Sequence, residues 1–264
     1  MSPTRYRFVA LHGFLGAPSD WEVLQPVFPD AAWHTVDLWD VMSDSRASDW
    51  ESVGRLLRLR LKEAVAGAPG PSILMAYSFG SRLALSVPDL GSAESPFAGV
   101  VLVSCNPGFP EHDEAERAVR TVSDGEWARR FIEEPVPRIW AAWDAQPVLR
   151  ASATPPRTDR LPAPRATLAR AMRVASLASQ PDYRSRLRAW CRPLLWVTGS
   201  RDAKYTAIAG GLAREGVPAR FAVCEDSGHR VPWDSPVAFA RHVRAWLDDA
   251  CQPDVGSGQA RGDA

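Results

Sequence analysis

The sequence predicts a doubly wound, mostly parallel α/β sheet with an inserted helical cap, and three observations carry that expectation. Six short apolar runs, "RFVALH", "WHTVDL", "SILMAYS", "GVVLVSC", "PLLWVTGS" and "RFAVCED", recur with helical patterns between them. Such alternation is the signature of strands joined by crossover helices. The central runs are continuous rather than alternating, as strands covered on both faces must be. Between Cys105 and Pro193 the alternation stops, and a structureless loop of that length does not belong in a compact domain.

Taken in order, a helix is expected over Ser19 to Phe28, opened by a Ser/Asp cap, and a second over Ser48 to Ala66, with Val53, Leu56, Leu57 and Leu61 on its apolar face. Another begins at Phe79, where Leu83, Ala84 and Val87 fall along one side. The insertion holds helical segments over Glu111 to Val122, Ser123 to Glu133 and Pro164 to Ser179, joined by the Pro-rich stretches "EEPVPR" and "SATPPRTDRLPAP". A cap over the carboxyl ends of the strands is the expected arrangement. Pro236 to Leu247 closes the fold. The division is therefore a core of residues 1–107 and 193–250, a cap of residues 108–192, and a disordered tail of residues 251–264 whose Arg261-Gly262-Asp263 is read as a chance tripeptide.

At 264 residues, 45% hydrophobic and 23% charged, the chain can bury one large core. The 31 basic and 31 acidic residues cancel, so no global field draws it to nucleic acid or to an anionic membrane. Lys62 and Lys204 are the only lysines, and each arginine has to be judged at its own site. Cys105, Cys191, Cys224 and Cys251 show no ligand or disulfide spacing. The amino terminus lacks the apolar stretch of a signal, and no run reaches the length of a membrane span, so a cytoplasmic protein is expected. No G-x-G-x-x-G follows a strand and no phosphate loop is present. Neither a metal nor a nucleotide cofactor is expected, and activity should be indifferent to EDTA. Loss of activity in EDTA that zinc or magnesium restored would overturn this.

The stretch "ILMAYSFGSRLALSV" places Ser78 between a buried run and a helix, the context of a nucleophile elbow with Ala76 where a glycine is usual. A plain strand-to-helix junction reads the same way, so the partners decide. Asp202 in "LLWVTGSRDAKY" and His229 in "AVCEDSGHRVPWDSP" each follow a later apolar run, in the order that an elbow serine requires. An Asp in this place is also a common helix N-cap. In the functional reading His229 takes the proton of Ser78, and Asp202 holds the imidazole and its cation. The N–H groups of Phe14, in "LHGFLG", and Phe79 are the expected oxyanion donors. His12 is read as a structural residue bonded to backbone.

"LHGFLGAPSDW", "AYSFGSR", "SRDAKY" and "SGH" resemble the α/β-hydrolase fold, and the insertion narrows the likeness. "ERAVRTVSDGEWARRFIEEP", "WAAWDAQPVL" and "ASLASQPDYR" resemble the cap of the 2-succinyl-6-hydroxy-2,4-cyclohexadiene-1-carboxylate synthases of menaquinone biosynthesis, over roughly Phe8 to Leu247. The resemblance implies elimination of pyruvate from a small substrate bearing several carboxylates, with the activated serine as base and no cofactor. It further implies that Arg82 and Arg120 hold carboxylates, with Arg160 the third, although Arg157 or Arg165 could fill that place. It assigns Trp143 and Tyr77 to the pocket, where packing explains them equally well. "DLWDVMSD" replaces a Gly/His-rich turn of many relatives, and Gly80-Ser81 replaces a Gly-Gly pair. The rival expectations are an esterase, thioesterase or carbon–carbon bond hydrolase working through an acyl-enzyme, and a non-catalytic binding protein of the same fold.

Overall fold

The structure, a computed structural model, describes residues 5–67 and 70–250. The tail of residues 251–264, Cys251 included, lies outside the described residues. Among the described residues six strands form one sheet: β1 Tyr6–Leu11, β2 Ala31–Val36, β3 Ser72–Tyr77, β4 Gly99–Val103, β5 Leu194–Gly199 and β6 Arg220–Cys224. The order is β2-β1-β3-β4-β5-β6, and every pairing is parallel.

A parallel pair needs a long crossover, and each connection carries helical structure. A 3-10 helix, Pro18–Val27, links β1 to β2, and α1 Leu38–Ser43 with α2 Trp50–Val65 leads to β3. Helix α3, Phe79–Ser86, returns to β4. The cap follows as α4 Glu114–Glu133, α5 Val136–Asp144, a 3-10 turn at Pro147–Leu149, α6 Arg165–Val174 and α7 Arg184–Arg188. Helix α8, Ala203–Arg214, joins β5 to β6, and α9 Val231–Asp234 and α10 Pro236–Ala250 complete the described chain. No described helix is long and apolar enough to cross a membrane.

The continuous apolar strands divide their side chains between two cores by the two-residue period of a strand. Val9, Leu11, Leu74, Ala76, Val100, Leu102 and Trp196 face the core shared with α2, α3 and the cap. Phe8, Ala10, Ile73, Met75, Val101, Val103 and Val197 face the 3-10 helix and α10. Each fully buried leucine or valine is worth about 1.5–3 kcal/mol of burial, so a register slip of one residue, which exchanges the two faces, is strongly disfavoured.

The cap departs from expectation at several joints: α5 begins inside "EEPVPR", expected as a connection, because proline is accommodated in the first turn of a helix, and α7 was not foreseen. The helices expected over Glu111 to Val122 and Ser123 to Glu133 are one helix, α4, capped by Asp113 through Glu116 N–H. No break falls between Val122 and Ser123, and the next residue, Asp124, turns its carboxylate inward to Arg120 one turn back and to Ser176. The helix expected over Pro164 to Ser179 ends at Val174, since the Ser176 hydroxyl is bound to Asp124 and accepts from Ala178 N–H. In the first connection the turn is 3-10 rather than α, and its Asp20 carboxylate reaches back to Ala17 N–H.

Candidate active site

The chain runs from β1 outward to β2 and then back to β3 on the other side of β1. That reversal opens a crevice at the carboxyl ends of β1 and β3, where open α/β sheets bind ligands. The loop after β1 and Ser78 after β3 flank it.

Ser78 stands at φ 50° and ψ −107°, a backbone that a non-glycine residue adopts only at a cost of about 1–3 kcal/mol. The surroundings hold it there. Ser78 N–H donates to Val103 O at 2.9 Å, and Arg82 N–H closes the first turn of α3 on Ser78 O. A Cβ on Gly80 would come within 2.6 Å of His12 O and 2.7 Å of Leu11 O. Gly80→Ala is therefore expected to cost about 2 kcal/mol or more, by overpacking against backbone that cannot yield. Urea unfolding checks this, and an unchanged midpoint would contradict the crowding. Ser81, where the resemblance implied a glycine, has its buried hydroxyl satisfied by Ala76 O at 2.6 Å and Val103 O at 3.1 Å.

The three residues singled out for chemistry are brought together. The Ser78 hydroxyl donates to His229 Nε2 at 3.0 Å, and His229 Nδ1–H donates to Asp202 Oδ2 at 2.6 Å. His229 and Asp202 are buried. Asp202 is also the N-cap of α8, so one oxygen accepts from Tyr205 N–H while the other accepts from the imidazole. His12 is buried and bonded to backbone, donating from Nδ1 to Gly13 O at 2.8 Å and accepting Leu38 N–H at Nε2 at 3.0 Å.

Phe79 is the first residue of α3, where the N–H has no acceptor within the helix. Phe14 sits opposite, its ring edge-on to that of Phe79 at 5.2 Å. "DLWDVMSD" forms α1 with Asp37 as its cap. Its Trp39 donates to Gly16 O at 2.9 Å and stacks on Phe79, bracing the loop after β1 from behind.

Ser78 and His229 open into a cavity of about 750 Å³ walled by both core and cap. Trp143 stacks on Phe14 at 5.2 Å and lines this cavity, as does Tyr77, whose ring packs on Trp233 at 4.7 Å. Burial pushes the Tyr77 phenol far above its ordinary pKa, so it remains a neutral hydrogen-bonding group. Tyr205 and Trp233 also line the cavity, and the Tyr205 ring lies 4.5 Å from that of His229. Neither was foreseen, because an aromatic inside a helical pattern looks like ordinary core.

Arg82 is buried on this wall; one Nη donates to Ala175 O, and its Nε has no partner. Burial first, then the neighbouring Arg120, lowers its pKa to about 10, which leaves it charged at neutral pH. Arg120 also lines the cavity, with its Nε on Asp124 Oδ1 at 2.8 Å. The three alternatives for a third arginine separate. Arg165 donates to Phe131 O and Glu134 O at the end of α4 and is absent from the cavity wall. Arg160 is exposed on the rim of the cavity, and Arg157 lies within the wall, bound to Asp144. Arg230, next to His229, is a further buried cation of that wall. Nothing in the sequence links residues 144, 157 and 230; only the folded cap does. Among the described residues no group of three or more His, Cys, Asp or Glu is placed to hold a metal ion, and Cys105, Cys191 and Cys224 are free thiols.

A strained serine on a strand-to-helix turn, a histidine and aspartate from later loops of a parallel sheet, and a cap closing the crevice define an α/β-hydrolase. The model of the alpha/beta hydrolase family matches residues 8–242. The 2-succinyl-6-hydroxy-2,4-cyclohexadiene-1-carboxylate synthase of Citrobacter koseri is 34% identical over 86% of this chain and 88% of its own. That of Klebsiella pneumoniae is 34% identical over 87% and 89%. The chain belongs to the alpha/beta hydrolase family and, within it, to the 2-succinyl-6-hydroxy-2,4-cyclohexadiene-1-carboxylate synthases. Among solved structures, MenH from S. aureus superimposes with a TM-score of 0.81 at 22% identity over 96% of each chain. A thermophilic esterase from Thermogutta terrifontis gives 0.63 at 19% identity over 94% of this chain and 91% of its own. The fold alone thus serves more than one chemistry.

Proposed function

We infer that the protein is a lyase of menaquinone biosynthesis that eliminates pyruvate from 2-succinyl-5-enolpyruvyl-6-hydroxy-3-cyclohexene-1-carboxylate. Its relatives' names support this over an esterase or a binding protein. The observation that carries it to this site is Arg82, a buried cation with an unpartnered Nε in the same cavity as Ser78. A neutral ester gives such a group nothing to bind, whereas a carboxylate matches its planar fork.

In this reading the Ser78 oxygen takes a ring proton of the substrate as its own proton passes to His229 Nε2, and Asp202 stabilises the imidazolium. The electron pair left on carbon moves into the ring and the carbon–oxygen bond to the enolpyruvyl group breaks, releasing pyruvate once the enolate is protonated. The N–H groups of Phe14 and Phe79 face the charge that develops on oxygen. Arg82 and Arg120 hold carboxylates, Arg160 reaches them from the rim, and Trp143 and Tyr77 set the shape of the pocket. The partner is a small polycarboxylate and the setting the cytoplasm; no cofactor takes part. Incubation of purified protein with the precursor tests the reading: pyruvate release is expected, and hydrolysis of simple esters without it would replace a lyase by an esterase.

A further inference from the structure

Arg230 follows His229 directly, and its guanidinium lines the cavity together with that of Arg157. Both are bound to one carboxylate, Asp144 at the end of α5, which is not part of the cavity wall. Arg157 donates from Nε to Asp144 Oδ2 at 3.0 Å and from Nη2 to Oδ1 at 2.5 Å, and Arg230 donates from Nη2 to the same Oδ1 at 2.7 Å. The Arg157 plane lies 4.2 Å over the Trp140 ring, and Arg230 Nη1 donates to Ala153 O at 3.0 Å. Two rigidly held cations therefore face the cavity with a single carboxylate bound to them, Asp144. Asp20, which also lines the cavity, bonds Ala17 N–H at 3.1 Å and feels the charge of both arginines without a direct ion pair to either, while burial outweighs them and raises its carboxyl above the ordinary pKa.

A strut joining cap to core needs one arginine on Asp144. The second adds a cation to a partly desolvated wall, which is unfavourable unless an anion is brought to it. Burial would raise the Asp144 carboxyl, yet hydrogen bonds from Arg157 and then Arg230 outweigh this and hold it below its ordinary pKa. It stays ionised and offsets one positive charge of the pair, leaving the other for a ligand.

We propose that Arg157 and Arg230, braced from behind by Asp144, form a second carboxylate-binding subsite beside His229, separate from the one at Arg82. Its assignment to a carboxylate of the substrate rests on the function proposed above. The occupant is a carboxylate of the enolpyruvyl or the succinyl arm, and the two probes below distinguish them.

The test is calorimetric binding of pyruvate and, separately, of succinate. Asp144→Asn keeps size and an acceptor oxygen but removes the offsetting charge, so the acid that occupies the subsite should bind about three- to tenfold more tightly. Arg157→Gln should weaken the same acid by about tenfold. The gain from Asp144→Asn should persist in an Arg82→Ala background, which separates the two subsites. Unchanged or weaker binding in Asp144→Asn, unchanged binding in Arg157→Gln, or no binding of either acid to the wild type would each overturn the proposal and leave the trio a strut. Carboxylate binding with this pattern in a protein that releases no pyruvate from the precursor would sustain the subsite and remove the functional reading.

Discussion

Ser78→Ala lowers kcat/KM for pyruvate release by about a thousandfold or more, with the fold intact, if the serine oxygen is the base. The hydroxyl donates to His229 Nε2 at 3.0 Å, and alanine removes the oxygen that would take the ring proton at the smallest possible change in volume. His229→Ala should lose a similar factor, and the double variant little more, because the two act as one unit and their losses do not add. Asp202 needs a different substitution, since it also caps α8 through Tyr205 N–H. Alanine there would remove a cap worth about 1 kcal/mol along with the charge. Asp202→Asn keeps the capping oxygen and removes the anion beside Nδ1, and should cost about a hundred- to ten-thousandfold in kcat. Steady-state rates with circular dichroism on each variant check this. Near wild-type turnover in Ser78→Ala would end the assignment.

Arg82→Ala carries the second largest expected loss, about 2–4 kcal/mol in kcat/KM, by removing a charge-assisted contact in a buried wall. Arg120→Ala should fall at the lower end of that range, because Arg120 already shares its charge with Asp124. Lysine at position 82 should rescue only in part, since a point charge does not reproduce the fork. The control is a small neutral ester. If the wild type turns one over, Arg82→Ala and Arg120→Ala should barely change that rate. Equal losses on both substrates would mark the arginines as structural, and unimpaired pyruvate release in both variants would sink the carboxylate clamp.

The central strands were legible because each is buried on both faces and so reads as an unbroken apolar run, as Ile73 to Tyr77 does, whereas the edge strands β2 and β6 keep exposed positions. Ser78, Asp202 and His229 were legible because each follows such a run, and chain order then links them. The cap was legible as helical but not in its joints. The boundary expected between Val122 and Ser123 does not exist, and only the folded partners of Asp124, Arg120 and Ser176, show what holds the continuous helix there. How Ser81 is accommodated in place of a second glycine was not legible, because its partners, the carbonyls of Ala76 and Val103, lie on β3 and β4. Choosing among Arg157, Arg160 and Arg165 was beyond the sequence, because position along a Pro-rich segment does not say which guanidinium turns inward. Arg230 was hidden for a related reason: its partners Asp144 and Ala153 lie on the cap, distant in the chain.

The central claim is that this serine–histidine–aspartate set moves a proton rather than an acyl group. The most direct measurement is mass spectrometry of the products formed from the precursor in oxygen-18 water, quenched early. The account predicts one pyruvate for each precursor consumed and a cyclohexadiene product carrying no solvent oxygen, because no water attacks a carbonyl. A carboxylic acid bearing one solvent oxygen, formed without pyruvate, would contradict it and establish an acyl-enzyme hydrolase in its place.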